Sequence, residues 1–290
     1  MHDIYILGNG PMGYLWASYF NNKLPVHLIT RSMVKVPFNF TKLPENLNIN
    51  TQLITPLEIE HQQQTIHRLI ICTKAFDAEA ALSKLIHLLS ESCQIILIQN
   101  GMGSQQSIAK AFPNLAIYAC SSTEGVYKES DSVLVHAGKG ENQIGALTKT
   151  ASNRALQSWL PMQVFKWHDD INPVLWRKLI INCAINPLTV VYKCKNGQLL
   201  ENAKAHTHMT KICAELDQLS INLNLDLHPT LVIAESVCQS TANNFSSMYQ
   251  DAKLNRLTEI DYITGYVIKQ FASAAIACPE NQALAKRLMP

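Results

Sequence analysis

The chain has 290 residues, 47% of them hydrophobic and 16% charged, with a formal net charge of +2. This composition excludes a disordered polar chain, and a near-neutral balance with no dense Lys/Arg cluster argues against nucleic acid as the main partner. The length suffices for two domains or one large one, each burying a sizeable core.

From the N-terminus, short apolar runs alternate with stretches of helical spacing, which points to βαβ units and a parallel sheet. The pattern predicts strands at 4–7, 26–30, 69–73, 95–98 and 116–120, and helices at 11–22, 77–90 and 104–112. Around 133–145, Val-Leu-Val-His-Ala-Gly followed by Asn-Gln-Ile-Gly reads as two more strands joined by a glycine-containing turn, which would extend the sheet. From about 169 the character changes: 173–192, 199–223, 229–243 and 256–275 carry helical patterns with hardly any strand signal. The expected fold is an α/β N-terminal domain over 1–168 followed by an all-α C-terminal domain over 169–290.

Eight cysteines are scattered with no C-x-x-C pair. This suits reduced, buried thiols in a cytoplasmic protein better than a disulfide framework or a zinc site, and no metal is expected. Ile4-Tyr-Ile-Leu7 already looks like a strand, no basic region leads into a long apolar stretch, and no run reaches 18 uninterrupted apolar residues. A soluble chain without a membrane partner is expected.

Gly8-Asn-Gly10-Pro-Met-Gly13 follows the first predicted strand and opens a helix. In such a turn the first glycine allows the tight bend, the second lets backbone approach a pyrophosphate, and the third permits close helix packing. Gly8, Asn9, Gly10, Pro11, Met12 and Gly13 are therefore the candidate dinucleotide cradle. Beyond the second strand an NAD-selective fold places Asp or Glu, whereas an arginine accommodates a 2′-phosphate. Here Thr30-Arg31-Ser32 stands, and no carboxylate occurs between Asp3 and Glu45. NADP is favoured, with Arg31 on the phosphate. Lys74 and Asn100 fall at the carboxyl ends of later strands, where open α/β sheets bind ligands; a surface lysine and an asparagine shaping an Asn-Gly turn are the alternatives.

In the second half, Lys178, Asn182 and Asn186 recur every four residues inside an apolar segment. On a helix they form a stripe about 12 Å long that drifts about 80° around the axis. An oxygen-rich ligand would satisfy one ammonium and two carboxamides; alternatively the lysine snorkels to solvent and the amides bond to loops. Pro187 should bend the helix just past Asn186. A hydride delivered to a carbonyl carbon leaves negative charge on oxygen, and Lys178 can act both as cation and as proton donor. His206 and His208 point apart at helical spacing and make a poor metal pair. Asn244, Phe245, Ser246 and Ser247 precede Glu259; hydroxyls there could bind a carboxylate, or Ser246 or Ser247 could cap a helix, and Glu259 could accept from a hydroxyl or serve a capping box.

Trp176-Arg-Lys-Leu, Asn182, Asn186-Pro-Leu-Thr, Asn196-Gly197, Asn244-Phe-Ser-Ser-Met-Tyr-Gln-Asp and Thr258-Glu-Ile-Asp-Tyr-Ile resemble the ketopantoate reductase family, in order over almost the whole chain. The resemblance implies a Rossmann domain followed by a helical domain with the active site in the cleft between them. It further implies NADPH-dependent reduction of 2-dehydropantoate to (R)-pantoate, on the route to pantothenate and coenzyme A. By position, it makes Lys178 the proton donor and gives Asn182, Asn186, Asn196 and Asn244 to Ser247 to the substrate, with Ser247 as carboxylate donor. Asn100 and Glu259 fall near cofactor and substrate, and Arg31 and Lys74 on the cofactor. Residues 33–65 carry little resemblance and 121–126 line up only loosely. A reductase of another branched 2-oxo acid, or a non-catalytic NADP-binding regulator, are the alternative functions; a monomer and a homodimer both remain open.

Overall fold

The computed structural model describes residues 2–20, 23–31 and 39–289. The chain divides into two compact units: Met1–Gln99 with Ser104–Ile171, and Asn100–Gly103 with Asn172–Pro290.

The strands of the first unit are β1 (Ile4–Leu7), β2 (Val26–Ile29), β3 (Asn39–Leu43), β4 (Leu47–Asn50), β5 (Gln52–Ile54), β6 (Ile66–Ile71), β7 (Leu89–Leu97), β8 (Ala116–Ser122), β9 (Gly125–Lys128), β10 (Val133–Gly138), β11 (Asn142–Ala146) and β12 (Lys166–Trp167). Its helices are α1 (Pro11–Phe20), α2 (Pro56–His61), α3 (Ala75–Ser83), α4 (Ser104–Ala111) and α5 (Asn153–Gln157). Eight strands form one sheet in the order β12-β11-β8-β7-β6-β1-β2-β5, parallel from β8 through β5, with β11 antiparallel to β8. Alternation along β1 sends Ile4 and Ile6 into the cluster around α1, with Trp16, Phe20 and Tyr118, while Tyr5 and Leu7 enter the opposite cluster with Leu69, Leu82 and Ile108. Helices covering both faces explain why these strands read as unbroken apolar runs. A single truncation such as Ile70→Ala, at a site with no exposure, removes about 2–5 kcal/mol.

The chain order reverses between β1 and β6, so their carboxyl ends form the topological switch point of the sheet.

The predicted hairpin over 133–145 is not what forms. Its turn lies instead at 129–132, where Glu129 N–H donates to the Val133 carbonyl. Residues 116–128 then pair with 133–146 as one long bent hairpin. The near half, β8 with β11, extends the main sheet as expected. The far half, β9 with β10, belongs to a separate four-stranded sheet in the order β4-β3-β10-β9. The bend sits at Gly140, where a Cβ would lie 2.3 Å from the Thr123 carbonyl carbon. Strands β3, β4, β5, β9 and β12 were not anticipated; each has five residues or fewer, too short to show a pattern. The last two residues of the predicted helix 11–22 lie outside the described residues.

The second unit is helical: α6 (Asn172–Tyr192), α7 (Gln198–Glu201), α8 (Ala203–Asn222), α9 (Thr230–Ser240), α10 (Ser247–Lys253), α11 (Thr264–Ser273) and α12 (Pro279–Leu288). Helix α6 packs against α8, α9, α10 and α12. It is long and apolar enough to cross a membrane by length and composition, yet 61% of that window is buried inside the protein, as in a core helix. It runs through Pro187 to Tyr192. The predicted segment 199–223 is split at Asn202, whose side chain accepts from the Lys204 and Ala205 amides and starts a new helix. The predicted helix 256–275 starts only at Thr264. The Tyr262 carbonyl turns aside to accept from the Met102 amide, and Ile263 leaves helical geometry at φ −102°, ψ −87°.

Candidate active site

In the first unit the glycine turn is fixed by backbone contacts. Gly8 has φ +118°, a region that only glycine enters at little cost, and its amide donates to the Ile29 carbonyl at 3.4 Å. A Cβ on Gly13 would stand 2.0 Å from the Gly8 carbonyl oxygen, so the helix can start this close to the strand only with glycine there. A Cβ on Gly10 would meet nothing within 4 Å. Pro11 occupies the first helical position, where the missing amide costs nothing. The next amides, of Met12 and Gly13, belong to the helix N-terminus, where an anion is favoured. Asn9 is exposed beside them.

The neighbouring strand end completes this surface. Gly8 lies against the backbone of Cys72 and Thr73 at the end of β6. The Thr73 hydroxyl is buried with no hydrogen-bond partner among the described residues, an orphaned polar atom next to the glycine turn. Burial pushes the Cys72 thiol up, so no thiolate opposes an anion there. Lys74 takes the N-cap position of α3, half-buried, with no side-chain cap bond. These features fit a pyrophosphate-bearing dinucleotide: a bare backbone at Gly10, a helix N-terminus, and a hydroxyl in need of a partner. Arg31 follows β2, largely exposed, and donates from Nη2 to Asp77 Oδ2 at 2.8 Å. Asp77 escaped sequence reasoning because it is 46 positions away; its signal was an acid three residues after Lys74, in the first turn of a helix.

In the helical unit, Lys178, Asn182 and Asn186 fall on one face of a continuous helix, as the spacing predicted. Lys178 and Asn182 are half-buried and Asn186 is buried. The segment Asn100–Gly103, contributed from the middle of the chain, packs in this unit. Asn100 Nδ2 donates to Glu259 Oε2 at 3.3 Å, and Glu259 is 5% exposed. Glu259 is thus neither a capping-box residue nor a surface acid. Gly101, at φ +81°, would place a Cβ 2.3 Å from the Tyr262 carbonyl oxygen, so this position admits only glycine.

The remaining candidates divide. Asn196 is buried: its Nδ2 donates to Thr241 Oγ1 at 2.8 Å, while its Oδ1 has no partner among the described residues. Its backbone amide donates to the Asn244 carbonyl, which joins the 196–197 turn to the 242–244 turn. Ser246 caps α10, accepting from the Tyr249 amide, and shares a 2.6 Å hydrogen bond with Thr189 Oγ1. Ser247 and Asn244 are exposed, so the hydroxyl left uncommitted by the cap is that of Ser247. Phe245, 38% exposed, stacks on Tyr249 with ring centroids 4.9 Å apart and lies under the ammonium groups of Lys195 and Lys253. Thr189 and Thr241 were not singled out from sequence; only Thr189, three residues past Asn186 on the stripe's helix, carried a signal.

His206 pairs with Glu235 at 2.6 Å and His208 contacts Tyr192 and Glu280, so each histidine serves a separate contact.

Residues 4–149 match the family model described as ketopantoate reductase PanE/ApbA, and residues 170–289 match the model of its C-terminal domain. The 2-dehydropantoate 2-reductase of Yersinia pestis is 30% identical over 97% of this chain and 92% of that protein. That of Vibrio cholerae is 31% identical over 99% of this chain and 96% of that protein. A solved ternary structure of D-mandelate dehydrogenase with NADH and anilino(oxo)acetate superposes with a TM-score of 0.86 at 21% identity, covering 98% of this chain and 96% of that one. Its likeness is one of fold.

Proposed function

The chain belongs to the ketopantoate reductase family, and from that premise we propose that it reduces 2-dehydropantoate to (R)-pantoate with NADPH, supplying pantothenate and coenzyme A synthesis. The observation that carries the reading is the stripe of Lys178, Asn182 and Asn186 on one helix, in a chain that also holds a complete glycine turn. The bound dinucleotide supplies the hydride.

The chain's own residues do the rest. The Gly8 to Gly13 turn receives the pyrophosphate through backbone amides, with Lys74 beside it and Arg31 on the 2′-phosphate. Lys178 stabilises the charge that develops on the carbonyl oxygen and delivers a proton to it. Asn182, Asn186 and Asn196 hold the substrate's oxygens; the unsatisfied Oδ1 of Asn196 supports a hydroxyl donor as its partner. Ser247 donates to the carboxylate, in the substrate-contacting turn formed with Asn244, Phe245 and Ser246. Asn100, oriented by Glu259, bonds to the ribose or the substrate. A cytosolic location belongs to the same reading, since the eight cysteines are thiols without a disulfide.

The test is to follow NADPH oxidation with 2-dehydropantoate beside a panel of branched and aromatic 2-oxo acids. The expected result is turnover with 2-dehydropantoate well above the rest. A better substrate elsewhere in the panel moves the assignment to that acid, and no turnover with any acid removes the catalytic reading.

A further inference from the structure

The sequence between Asp3 and Glu45 contains no carboxylate, yet the fold brings one to the place where an acid would sit in an NAD-selective site. Arg31 follows β2, and Asp77 lies in the first turn of α3, which follows β6. These strands are the two neighbours of β1. The 2.8 Å Arg31–Asp77 pair therefore joins elements on either side of the glycine turn. The arginine side chain is 85% exposed and that of the aspartate 40%, so the pair is open to solvent and adds little to stability. A structural reason for Asp77 is its helix position, where a negative charge suits the N-terminus, but that reason is met equally without Arg31.

The chemistry of the pair toward a ribose is two-sided. A guanidinium attracts a 2′-phosphate. A carboxylate in contact with it accepts a hydrogen bond from a 2′-hydroxyl, repels the phosphate, and competes for the guanidinium.

We propose that Asp77 is a specificity-determining residue which narrows the preference for NADPH over NADH, so that this chain accepts both dinucleotides. The inference rests on the dinucleotide reading given above. Asp77 engages the guanidinium before the dinucleotide arrives; NADPH must displace it, whereas NADH uses its carboxylate directly.

The experiment titrates NADPH and NADH separately into the full-length protein, in the absence of any oxo acid, and reads the dinucleotide's fluorescence. Wild type, Asp77→Asn and Arg31→Ala are compared, with thermal midpoints to confirm folding; both side chains are at the surface. In Asp77→Asn the ratio Kd(NADH)/Kd(NADPH) rises about tenfold, the scale of one solvent-screened charge interaction at close range. In Arg31→Ala the ratio falls toward one. A ratio in Asp77→Asn that stays the same or drops overturns the inference while leaving the dinucleotide reading intact. A wild-type chain that binds neither dinucleotide overturns that reading and the inference with it.

Discussion

The glycine turn after β1 and the polar stripe on α6 offer two ways of building a ligand surface, and they differ in what fixes them. The turn is set by main chain against main chain: Gly13 against the Gly8 carbonyl, Gly8 against Cys72 and Thr73. The stripe and its neighbours are set by side chains reaching across the sequence, Thr189 to Ser246 and Asn196 to Thr241 in the helical unit. A site fixed by backbone forbids side chains at a few positions and is indifferent elsewhere. A site fixed by side chains depends on partners that no local spacing reveals.

The largest expected effect breaks the first kind of site. Gly13→Ala forces a methyl into backbone oxygen and should cost about 3 kcal/mol by urea unfolding, the upper end for overpacking. Gly10→Ala should leave the unfolding midpoint unchanged or slightly raised while weakening dinucleotide binding, because its methyl meets nothing but the ligand's space. Equal stability losses in the two variants would abolish the distinction between a structural and a functional glycine. Next, Lys178→Ala should lower turnover about 100-fold with little change in dinucleotide affinity, the usual scale for a lost general acid. Unchanged turnover would take Lys178 out of the mechanism.

A smaller effect tests the second kind. Thr189→Val removes one partner of the buried pair with Ser246 and should cost about 1–2 kcal/mol. A double-mutant cycle with Ser246→Ala that shows no coupling would mean the two hydroxyls do not hold the turn together. The smallest step, counted for each group singly, is common to both units. Burial pushes the Cys93, Cys183 and Cys238 thiols from 9.0 up to about 12. Above pH 9 the unfolded chain releases these protons and the folded chain keeps them, so stability falls as pH rises from 9 toward 12. At pH 10 the loss is about 1 kcal/mol per thiol, measurable as a lower unfolding midpoint than at pH 7.

What the sequence disclosed follows the same division. Unbroken apolar runs located β1, β2 and the carboxyl ends of β6 and β7, and helical spacing located α6, because each is a local signal driven by burial. The glycine turn was legible for the same reason. The bent hairpin was misread because Gly138 and Gly140 look like a turn, whereas the true reversal at 129–132 lies in Glu-Ser-Asp-Ser, with no glycine to mark it. Thr241 beside Asn196, and Asp77 beside Arg31, are pairings 45 and 46 positions apart. No periodicity encodes such meetings. Helix ends were blurred where a carbonyl leaves the ladder for a distant amide, as at Tyr262 and Ala242.

The four residues Asn100–Gly103 belong to the helical unit although 68 residues of the other unit, 104–171, follow them in the chain. Genetic exchange by a single crossover near 171 would carry the helices without them. The incoming Tyr262 carbonyl and Glu259 carboxylate would meet a segment selected against different neighbours. Any chimera of two such enzymes should therefore take 100–103 from the same parent as 172–290, so that the heritable module is two pieces of sequence rather than one.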